Sequence, residues 1–313
     1  MNIDNTQPHI SICIPAYKRT EFLHRLLDSI AIQEYKDFEV IVTDDSPGEE
    51  VADLCKQYAE NLPLTYYRNA VTLGTPENWN EGIRKAKGEW IKLMHDDDWF
   101  EGPKALARFA KATVDYTDAQ FIFSAFTNHH EDSGKKELVN VDGFRYRALR
   151  KNPSTLFSRN IIGPPSVTIH RNDGKFFYDP SLKWLVDIDF YMRYFNYAQP
   201  FYIDKPLVNV GLGAHQVTRD CIRQRSVEIP ESLYLLHKTG VSNLDNILVY
   251  DAWWRLMRNL EIRSVNDIKT SGYDGDIPQV LVKMIHFQQK IPLRMLRIGP
   301  LSKSFMMVSY LKR

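Results

Sequence analysis

The sequence predicts an α/β fold with a mostly parallel central sheet, flanking helices and a helical C-terminal extension. Short β-branched or apolar runs alternate with amphipathic segments repeatedly over residues 1–126. Parallel strands need long crossover connections, and these connections place helices on the faces of the sheet. After about residue 225 the apolar residues recur at helical spacing instead, which indicates helices.

Five strands are predicted in the alternating region, each from a run of β-branched or other apolar residues. The first ends at a turn after Pro15, and the second runs directly into Asp44 and Asp45. The fourth also runs into carboxylates. The expected ranges of the five strands are 10–17, 38–43, 64–67, 90–94 and 119–126.

Helices are expected between these strands, because apolar residues recur there at helical spacing. Thr20 is suited to N-cap the first helix, and the second opens at Ser46. Thr75 and Pro76 are the residue types favoured at the N-cap and N1 positions of the third. A fourth helix is expected to begin at Pro103.

The second half of the chain has a less regular pattern. Residues 129–160 are polar and irregular, which indicates either a mobile loop over a site or a surface insertion. A turn into a short strand is expected over 163–170, a helix over 184–195 and a strand over 201–210. A long helix with a broad apolar face is expected over 246–260.

The composition argues against several classes of protein. The 313 residues are 43% hydrophobic and 25% charged, which is ordinary for a globular protein with a full core. A net charge of +1 gives no reason to expect a nucleic-acid partner. Cys13, Cys55 and Cys221 are far apart, and the N-terminus lacks the order of a signal peptide. With no apolar run of about 18 residues, these features predict a cytoplasmic protein.

An acidic cluster follows the fourth predicted strand. Asp96, Asp97 and Asp98 are consecutive, so their charges repel one another unless solvent or a cation compensates them. Hard divalent cations such as Mg²⁺ or Mn²⁺ prefer oxygen ligands of this kind, and ligands of open α/β sheets gather at the carboxyl ends of strands. The alternative is a solvated acidic turn. No GxGxxG or GxxxxGK[ST] motif is present, which disfavours a dinucleotide oxidoreductase and a P-loop NTPase.

Five motifs, in this order and at this spacing, resemble those of family 2 glycosyltransferases over roughly residues 9–218. The resemblance implies a GT-A fold, which is Rossmann-like, and inverting transfer from a nucleotide-diphosphate sugar with a divalent metal, Mn²⁺ or Mg²⁺. It divides the chain into a GT-A domain over 1–225, with a donor half at 9–126 and an acceptor half at 127–225, and a helical extension over 226–313. The motifs are ICIPAYKR at 12–19, FEVIVTDDS at 38–46, NWNEG at 78–82, GEWIKLMHDDDW at 88–99 and DIDFYMR at 187–193.

For the nucleotide, the resemblance implies that Pro15 and Tyr17 line the base pocket and that Asp44 accepts a hydrogen bond from the base. An aromatic ring can stack on a pyrimidine. A carboxylate only accepts hydrogen bonds, so it suits the N3–H of uracil or thymine and favours a UDP- or dTDP-sugar. The alternatives are a half-buried turn residue for Tyr17 and an N-cap for Asp44 or Asp45.

For the metal, the resemblance implies that His95, Asp96 and Asp97 occupy the DxD positions. Asp97 is then a direct metal ligand, and Asp96 faces the ribose and the metal shell. Asp98 lies behind them or caps the next helix. His215, in the glycine-containing loop 211–218, corresponds to a histidine near the metal or diphosphate in some relatives, and imidazole is a competent Mn²⁺ ligand. The alternative interpretation of His215 is an ordinary surface residue.

Two positions depart from the family pattern. His95 replaces the first aspartate of the DxD motif, and Trp79 stands where many relatives carry an arginine that contacts phosphate. The sequence leaves open which residue completes the metal shell. Lys18, Arg19 and Lys92 are the candidates to supply the missing positive charge.

The catalytic base implied by the resemblance is Asp187, which would take the proton of the acceptor hydroxyl. Val186 stands where many relatives have glutamate, so Asp187 is the remaining candidate of that pair. General-base assistance is worth on the order of 10²–10⁴ in rate. The alternative is a carboxylate that stabilises the start of a helix. For Asp189, structure or acceptor contact is expected.

The C-terminal tail has no acidic residue after Asp276 but seven Lys or Arg among apolar residues. This composition suits either an amphipathic element on an anionic membrane or a helix pair docked on the protein. With the resemblance, it favours a glycan or lipid-linked saccharide acceptor at the inner face of the cytoplasmic membrane, as in lipopolysaccharide or capsule synthesis. Two alternative functions remain: a catalytically inactive binding or scaffold subunit, and a GT-A-like nucleotidyltransferase.

Overall fold

The computed structural model describes residues 7–213 and 221–313. The chain folds into two compact units. The first consists of Met1–Tyr146, Ile161–Ser181 and Tyr194–Ala214, and the second of Arg147–Asn160, Leu182–Arg193 and His215–Arg313. Two short segments from the middle of the chain therefore belong with the C-terminal helices, which the expected division at residue 225 did not include.

The first unit contains one mixed sheet with the strand order β3-β2-β1-β4-β8-β6-β9-β5, and β7 pairs with β6. The neighbours β3, β2, β1 and β4 are parallel, as are β6 and β9. The strands are β1 Ile10–Ala16, β2 Phe38–Asp44, β3 Leu64–Arg68, β4 Trp90–Leu93, β5 Trp99–Phe100, β6 Phe121–His130, β7 Lys136–Val139, β8 Thr168–Arg171 and β9 Pro200–Leu212.

Helices cover the sheet and form most of the second unit. They are α1 Thr20–Ala31, α2 Glu50–Tyr58, α3 Glu77–Lys85, α4 Ala105–Asp115, α5 Gly143–Lys151, α6 Val186–Phe195, α7 Arg225–Thr239, α8 Ile247–Asn259, α9 Val265–Thr270, α10 Gln279–Gln289, α11 Leu293–Leu296 and α12 Gly299–Leu311. Short 3₁₀ segments lie at Pro153–Phe157, Pro165–Val167 and Val241–Asp245.

The predicted fold class is confirmed, and so are the five strands of the first half. The sheet is less uniform than expected, because β8 inserts antiparallel between β4 and β6. Residues 129–160 are also more regular than expected: they contain the end of β6, all of β7 and helix α5. Their polar pattern reflects exposure of β7, since Lys136, Glu137 and Leu138 all face solvent.

Four predicted helix starts differ from the observed ones, since α2 begins at Glu50 and not at Ser46, and α4 begins at Ala105 and not at Pro103. The other two differ by one residue. Thr20 is the first residue of α1, and the N-cap position is Arg19, which makes no side-chain capping bond. Pro76 occupies the N-cap of α3 instead of N1, after a cis peptide bond from Thr75.

The register of the parallel strands brings their carboxyl ends to one edge. Ala16 of β1 lies opposite Asp44 of β2, and Cys13 of β1 lies opposite Leu93 of β4. The apolar residues of these strands are fully buried, so a register slip would expose them. The loops after β1, β2 and β4 therefore leave the sheet side by side.

The second unit has its own apolar core. Trp253, Trp254 and Met257 of α8 are buried against residues of α7, α10 and α12. The C-terminal helices contribute Leu281 and Met306 to this core, so one face of the tail packs against the rest of the second unit. Cys13, Cys55 and Cys221 are all buried. Within the described ranges, no helix combines the length and apolarity needed to cross a membrane.

Candidate active site

The nucleotide residues implied by the sequence lie at the carboxyl edge of the sheet. Pro15 is the last residue but one of β1 and lies opposite Thr43 of β2. Tyr17 directly follows this strand and its side chain is 46% exposed, with the Lys18 ammonium 4.7 Å from the centre of the ring. An exposed aromatic face at a strand end is available for stacking on a base.

Asp44, at the end of β2, is fully buried. One carboxylate oxygen accepts from the backbone N–H of Ser46 at 2.8 Å, and the other accepts from the Tyr66 hydroxyl at 2.8 Å. Burial together with this bond to Asp44 raises the pKa of Tyr66, so the tyrosine stays a donor. The carboxylate is held rigidly, and each oxygen keeps a second lone pair for another donor.

Asp45 has a different task from its neighbour. Its carboxylate accepts from the backbone N–H groups of Leu73 at 3.0 Å and Gly74 at 2.8 Å, and from the side-chain amide of Asn69 at 2.8 Å. It therefore fixes the loop before α3. The expectation that Asp44 or Asp45 caps the following helix is wrong, because α2 begins only after Glu49.

Asp96 is paired with a cation. Arg19 Nη2 lies 2.5 Å from Asp96 Oδ1, and Arg19 Nη1 lies 3.7 Å from Asp97 Oδ2. Burial raises the pKa of Asp96 to about 7, an effect that the Arg19 guanidinium partly offsets. Of the three cations considered from the sequence, Arg19 is the one that reaches the acidic cluster.

Lys92 is not available for phosphate, because it is fully buried in β4. Its ammonium donates to the Ser166 carbonyl and lies 5.0 Å from the centre of the Phe109 ring. Burial lowers the pKa of Lys92 to about 7, and the Asp98 carboxylate opposes that effect. Lys92 is a core residue that contacts the Ser166 carbonyl and lies close to the Asp98 carboxyl group.

The donor set that fits a divalent cation consists of His95, Asp97 and Asp98. One potential ligand atom from each lies within 4.8 Å of the others. His95 Nε2 and Asp98 Oδ2 are buried and have no hydrogen-bond partner in the described part of the chain. These two atoms, next to the Asp97 carboxylate, suit a hard or borderline metal ion. The sequence predicts Asp96 and Asp97 as ligands. In the structure Asp98 lies with Asp97, while Asp96 is held by Arg19.

The cluster contains two carboxyl groups and one neutral imidazole ring. Burial and the nearby Asp97 charge raise the pKa of Asp98 well above its usual range. Burial lowers the pKa of His95 to about 4, so the imidazole is neutral at pH 7 and keeps a lone pair. Gly211 donates its backbone N–H to Asp98 Oδ1 at 3.1 Å, and its close approach leaves no room for a Cβ.

The two departures from the family pattern contact each other. The Trp79 ring centre lies 4.6 Å from that of His95, and 5.1 Å from that of Tyr178. The backbone N–H of His95 donates to the Ser166 hydroxyl at 2.9 Å. Trp79 and His95 are thus a packed pair, which gives one structural reason for both substitutions. His215 lies outside the described residues.

Asp187 is the second residue of α6, in the second unit. Its Oδ1 accepts from the backbone N–H of Ile188 at 2.8 Å, and its Oδ2 accepts from the Asn160 amide at 2.9 Å. Burial raises the pKa of Asp187 to about 6, and these hydrogen bonds offset part of that rise. The group is ionised near neutral pH, but it is a stronger base than an exposed aspartate.

Asp189 is a structural residue, which was one of the two expectations for it. It is fully buried and forms ion pairs with Arg193 of α6 at 2.8 Å and with Lys238 of α7 at 2.8 Å. A buried carboxylate with two cationic partners holds two helices together but leaves little capacity for an acceptor.

A second link from α7 holds the segment just before Asp187. The Glu231 carboxylate accepts three backbone hydrogen bonds, from Lys183 at 2.9 Å, Trp184 at 2.8 Å and Leu185 at 2.9 Å. These N–H groups belong to the three residues directly before α6. Glu231 therefore caps the segment that leads into α6 with a carboxylate from another helix.

We expect Glu231→Gln to speed amide hydrogen exchange at residues 183–185 and to lower the melting temperature by a few degrees. A charge-assisted hydrogen bond contributes about 1.5–3 kcal/mol when buried, and less at this half-buried position. Glu228→Gln is the matched control, because Glu228 lies on the same helix and accepts one backbone N–H, that of Arg223, within the described residues. Unchanged exchange at 183–185 would show that the cap is not needed.

Sequence reasoning missed several residues that shape the site. Asn160, Ser166 and Glu231 carry no local motif, and each meets its partner across a large gap in the chain. For Arg19 the sequence suggests a contact with phosphate, whereas the structure shows an ion pair with Asp96. The local sequence gives no signal for contacts between such distant residues, since these contacts depend on how the strands and helices pack in space.

The fold and the edge of the sheet define a class of protein. An open α/β sheet with an aromatic ring, a buried aspartate and an acidic cluster at adjacent strand ends matches the GT-A arrangement that the resemblance implies. A family model described as glycosyl transferase family 2 matches residues 11–163. The chain belongs to that family, which confirms the resemblance.

Curated relatives are consistent with this assignment. An uncharacterized glycosyltransferase of Bacillus subtilis, YwdF, is 30% identical over 59% of this chain and 67% of its own length. The putative colanic acid biosynthesis glycosyl transferase WcaA of Escherichia coli is 26% identical over 67% of this chain and 76% of its own length. The chain spans 64–68% of the length of most of the first curated relatives that it matches.

A solved structure supports the fold. S. aureus TarS 1-349, in complex with UDP-GlcNAc, superposes with a TM-score of 0.61 over 96% of this chain and 89% of that chain. Its sequence identity is 17%, so the likeness concerns the fold alone.

Proposed function

We propose that the protein is an inverting, metal-dependent glycosyltransferase. It transfers a sugar from a nucleotide-diphosphate sugar, with UDP- or dTDP-sugars favoured, to a hydroxyl of a glycan or lipid-linked saccharide. The observation that carries this proposal is the cluster of His95, Asp97 and Asp98 beside Asp44 and Tyr17, at neighbouring strand ends of a family 2 fold.

The nucleotide would bind between the loops after β1 and β2. The exposed Tyr17 ring offers a stacking face, while Asp44 is held by Ser46 and Tyr66 so that it can accept the N3–H of the base. Pro15 shapes the turn between them. The Arg19–Asp96 pair lies next to the metal cluster and would orient the ribose.

Asp97, Asp98 and His95 would hold Mn²⁺ or Mg²⁺. When bound, the ion neutralises the diphosphate and stabilises the leaving group, an effect worth several kcal/mol. The protein's own share is to keep His95 neutral, to fix Asp98 through the Gly211 N–H and to counter the remaining negative charge with Arg19. His215 would add a ligand from its loop.

Asp187 would take the proton from the acceptor hydroxyl as that oxygen attacks the anomeric carbon. The Asn160 amide and the Ile188 N–H orient the carboxylate, and its raised pKa makes it a better base. The new glycosidic bond forms as the bond to the nucleoside diphosphate breaks, so the anomeric configuration inverts.

The acceptor would be a bacterial surface polysaccharide, as the WcaA likeness suggests, or its lipid-linked precursor, in lipopolysaccharide or capsule synthesis. Such an acceptor is met at the inner face of the cytoplasmic membrane. The protein would therefore be cytoplasmic, with peripheral contact to anionic lipid.

The experiment that tests this function measures melting temperature with UDP, dTDP, GDP and CMP, each with and without Mn²⁺. A ligand at about 100 times its Kd adds about 2.7 kcal/mol, a shift on the order of 5 °C. We expect a shift with UDP or dTDP that requires Mn²⁺. If no nucleotide gives a metal-dependent shift, the transferase proposal fails.

The same protein preparation separates the two alternatives. An inactive binding subunit would show the shift but release no nucleoside diphosphate from a panel of nucleotide sugars with saccharide acceptors. A GT-A-like nucleotidyltransferase would have no use for the base, so Asp187→Asn would keep full activity.

A further inference from the structure

Helix α12 turns its polar side chains inward. Ser302, Met306 and Ser309 form its buried face. The Ser302 hydroxyl accepts from the Trp254 indole N–H at 3.0 Å, and the Ser309 hydroxyl bonds the Tyr250 hydroxyl at 2.7 Å. The small serines thus satisfy the two large aromatic side chains in the core of the second unit.

The outward face of α12 carries three exposed apolar side chains. Met307, Val308 and Leu311 are 39%, 41% and 76% exposed. Together with exposed Ser304 they follow the spacing i, i+3, i+4, i+7, so they form one stripe along the helix. Helices at a protein surface usually show the opposite pattern, and a contiguous apolar stripe indicates a partner surface.

Cations lie at both edges of this stripe. At about 3.6 residues per turn, Lys303 falls on one side of it and Lys312 on the other. The Lys303 ammonium lies 2.9 Å from Asp251, while Lys312 forms no ion pair with a carboxylate in the described ranges. No acidic residue follows Asp276 in the sequence, so the tail itself contributes only positive charge, part of which Asp245, Asp251 and Glu261 offset.

We propose that the outward stripe of α12, residues 304, 307, 308 and 311, docks on an anionic lipid surface. Met307, Val308 and Leu311 would enter the boundary between headgroups and acyl chains, and Lys303 and Lys312 would reach the lipid phosphates. This inference deepens the proposed function, because it brings the enzyme to a lipid-linked acceptor. It can be tested without turnover.

The charge pattern favours lipid over a second copy of the chain. A two-fold dimer through this stripe would place the same patch against itself, so the lysine edges of one copy would face those of the other. Like charges across an interface oppose association, whereas anionic headgroups complement both edges.

The experiment measures co-sedimentation of the full-length chain with vesicles of phosphatidylcholine alone or enriched in phosphatidylglycerol, at low and high salt. The main variant is Val308→Ser with Leu311→Ser. The matched control is Val114→Ser with Leu138→Ser, since these residues are 68% and 56% exposed on the first unit. Truncation at Asp276 is unsuitable, because it removes core residues such as Leu281.

We expect binding only to the anionic vesicles, weakened by salt, and lowered about tenfold or more in the stripe variant. Lys312→Glu should also weaken it, while the control variant and the melting temperatures stay at the wild-type level. The proposal is overturned if the wild-type chain does not bind, or if the stripe variant binds equally well. If the wild-type chain does not bind vesicles but is a dimer in light scattering, and the stripe variant is a monomer, the partner is a second copy of the chain. These outcomes are independent of nucleotide binding, so they separate this inference from the proposed function.

Discussion

Asp187→Asn is expected to lower the turnover number for sugar transfer by about 10²–10⁴. Asparagine keeps the shape of the side chain and can still accept from Ile188, but it cannot take a proton. Nucleotide binding should be unchanged, because Asp187 belongs to the second unit while the nucleotide residues belong to the first. The measurement is nucleoside diphosphate release in the presence of acceptor, paired with the nucleotide-dependent melting shift.

The pH dependence gives this prediction a second readout. Because burial raises the pKa of Asp187 to about 6, the base is protonated below that value. Turnover should therefore fall about tenfold per pH unit below 6 and level off above it. The residual activity of Asp187→Asn should lack this acidic limb. A limb that persists would assign the titration to another group, such as Asp96, whose pKa is raised to about 7.

Asp251→Asn is the matched control for this change. It removes a carboxylate from the same unit, one that pairs with Arg255 at 3.2 Å and with Lys303. Its turnover should stay within a few-fold of the wild type. Equal losses in the Asp187 and Asp251 variants would mean that the second unit loses activity through destabilisation and not through a missing base.

The sequence was most informative where function depends on strand ends. Tyr17, Asp44 and the acidic cluster follow buried runs directly, and the carboxyl ends of parallel strands necessarily share an edge. Their proximity could therefore be predicted before any contact was known. The antiparallel β8 could not, because a four-residue strand carries no signal of its direction.

Contacts between distant segments account for what the sequence did not predict. The candidate ligand set contains Asp98 beside His95 and Asp97, because Arg19 binds Asp96. Trp79 and His95 looked like two independent departures, yet their rings are in contact. The orienting bond from Asn160 to Asp187 joins residues 27 positions apart. Such pairings depend on three-dimensional packing, on which local spacing carries no information.

Asp97→Asn is expected to abolish the Mn²⁺-dependent nucleotide shift, with metal affinity reduced on the order of 10²-fold or more. Mutation of outer-shell partners alone typically costs 10–100-fold, and loss of a direct ligand costs more. Neighbouring carboxylates cannot easily replace it: Asp96 is held by Arg19 at 2.5 Å, and Asp98 already belongs to the same cluster. Titration of Mn²⁺ at saturating UDP measures the change.

Glu101→Gln is the control for removing one negative charge near this loop, since Glu101 is exposed and lies outside the cluster. It should keep the Mn²⁺ dependence. His95→Ala then decides which atoms complete the shell. If the orphaned Nε2 of His95 is a ligand, its loss weakens Mn²⁺ more than Mg²⁺, because imidazole suits the transition metal better than the hard one. Equal loss for both ions would instead mean that His95 acts by packing on Trp79 and that oxygen ligands alone hold the metal.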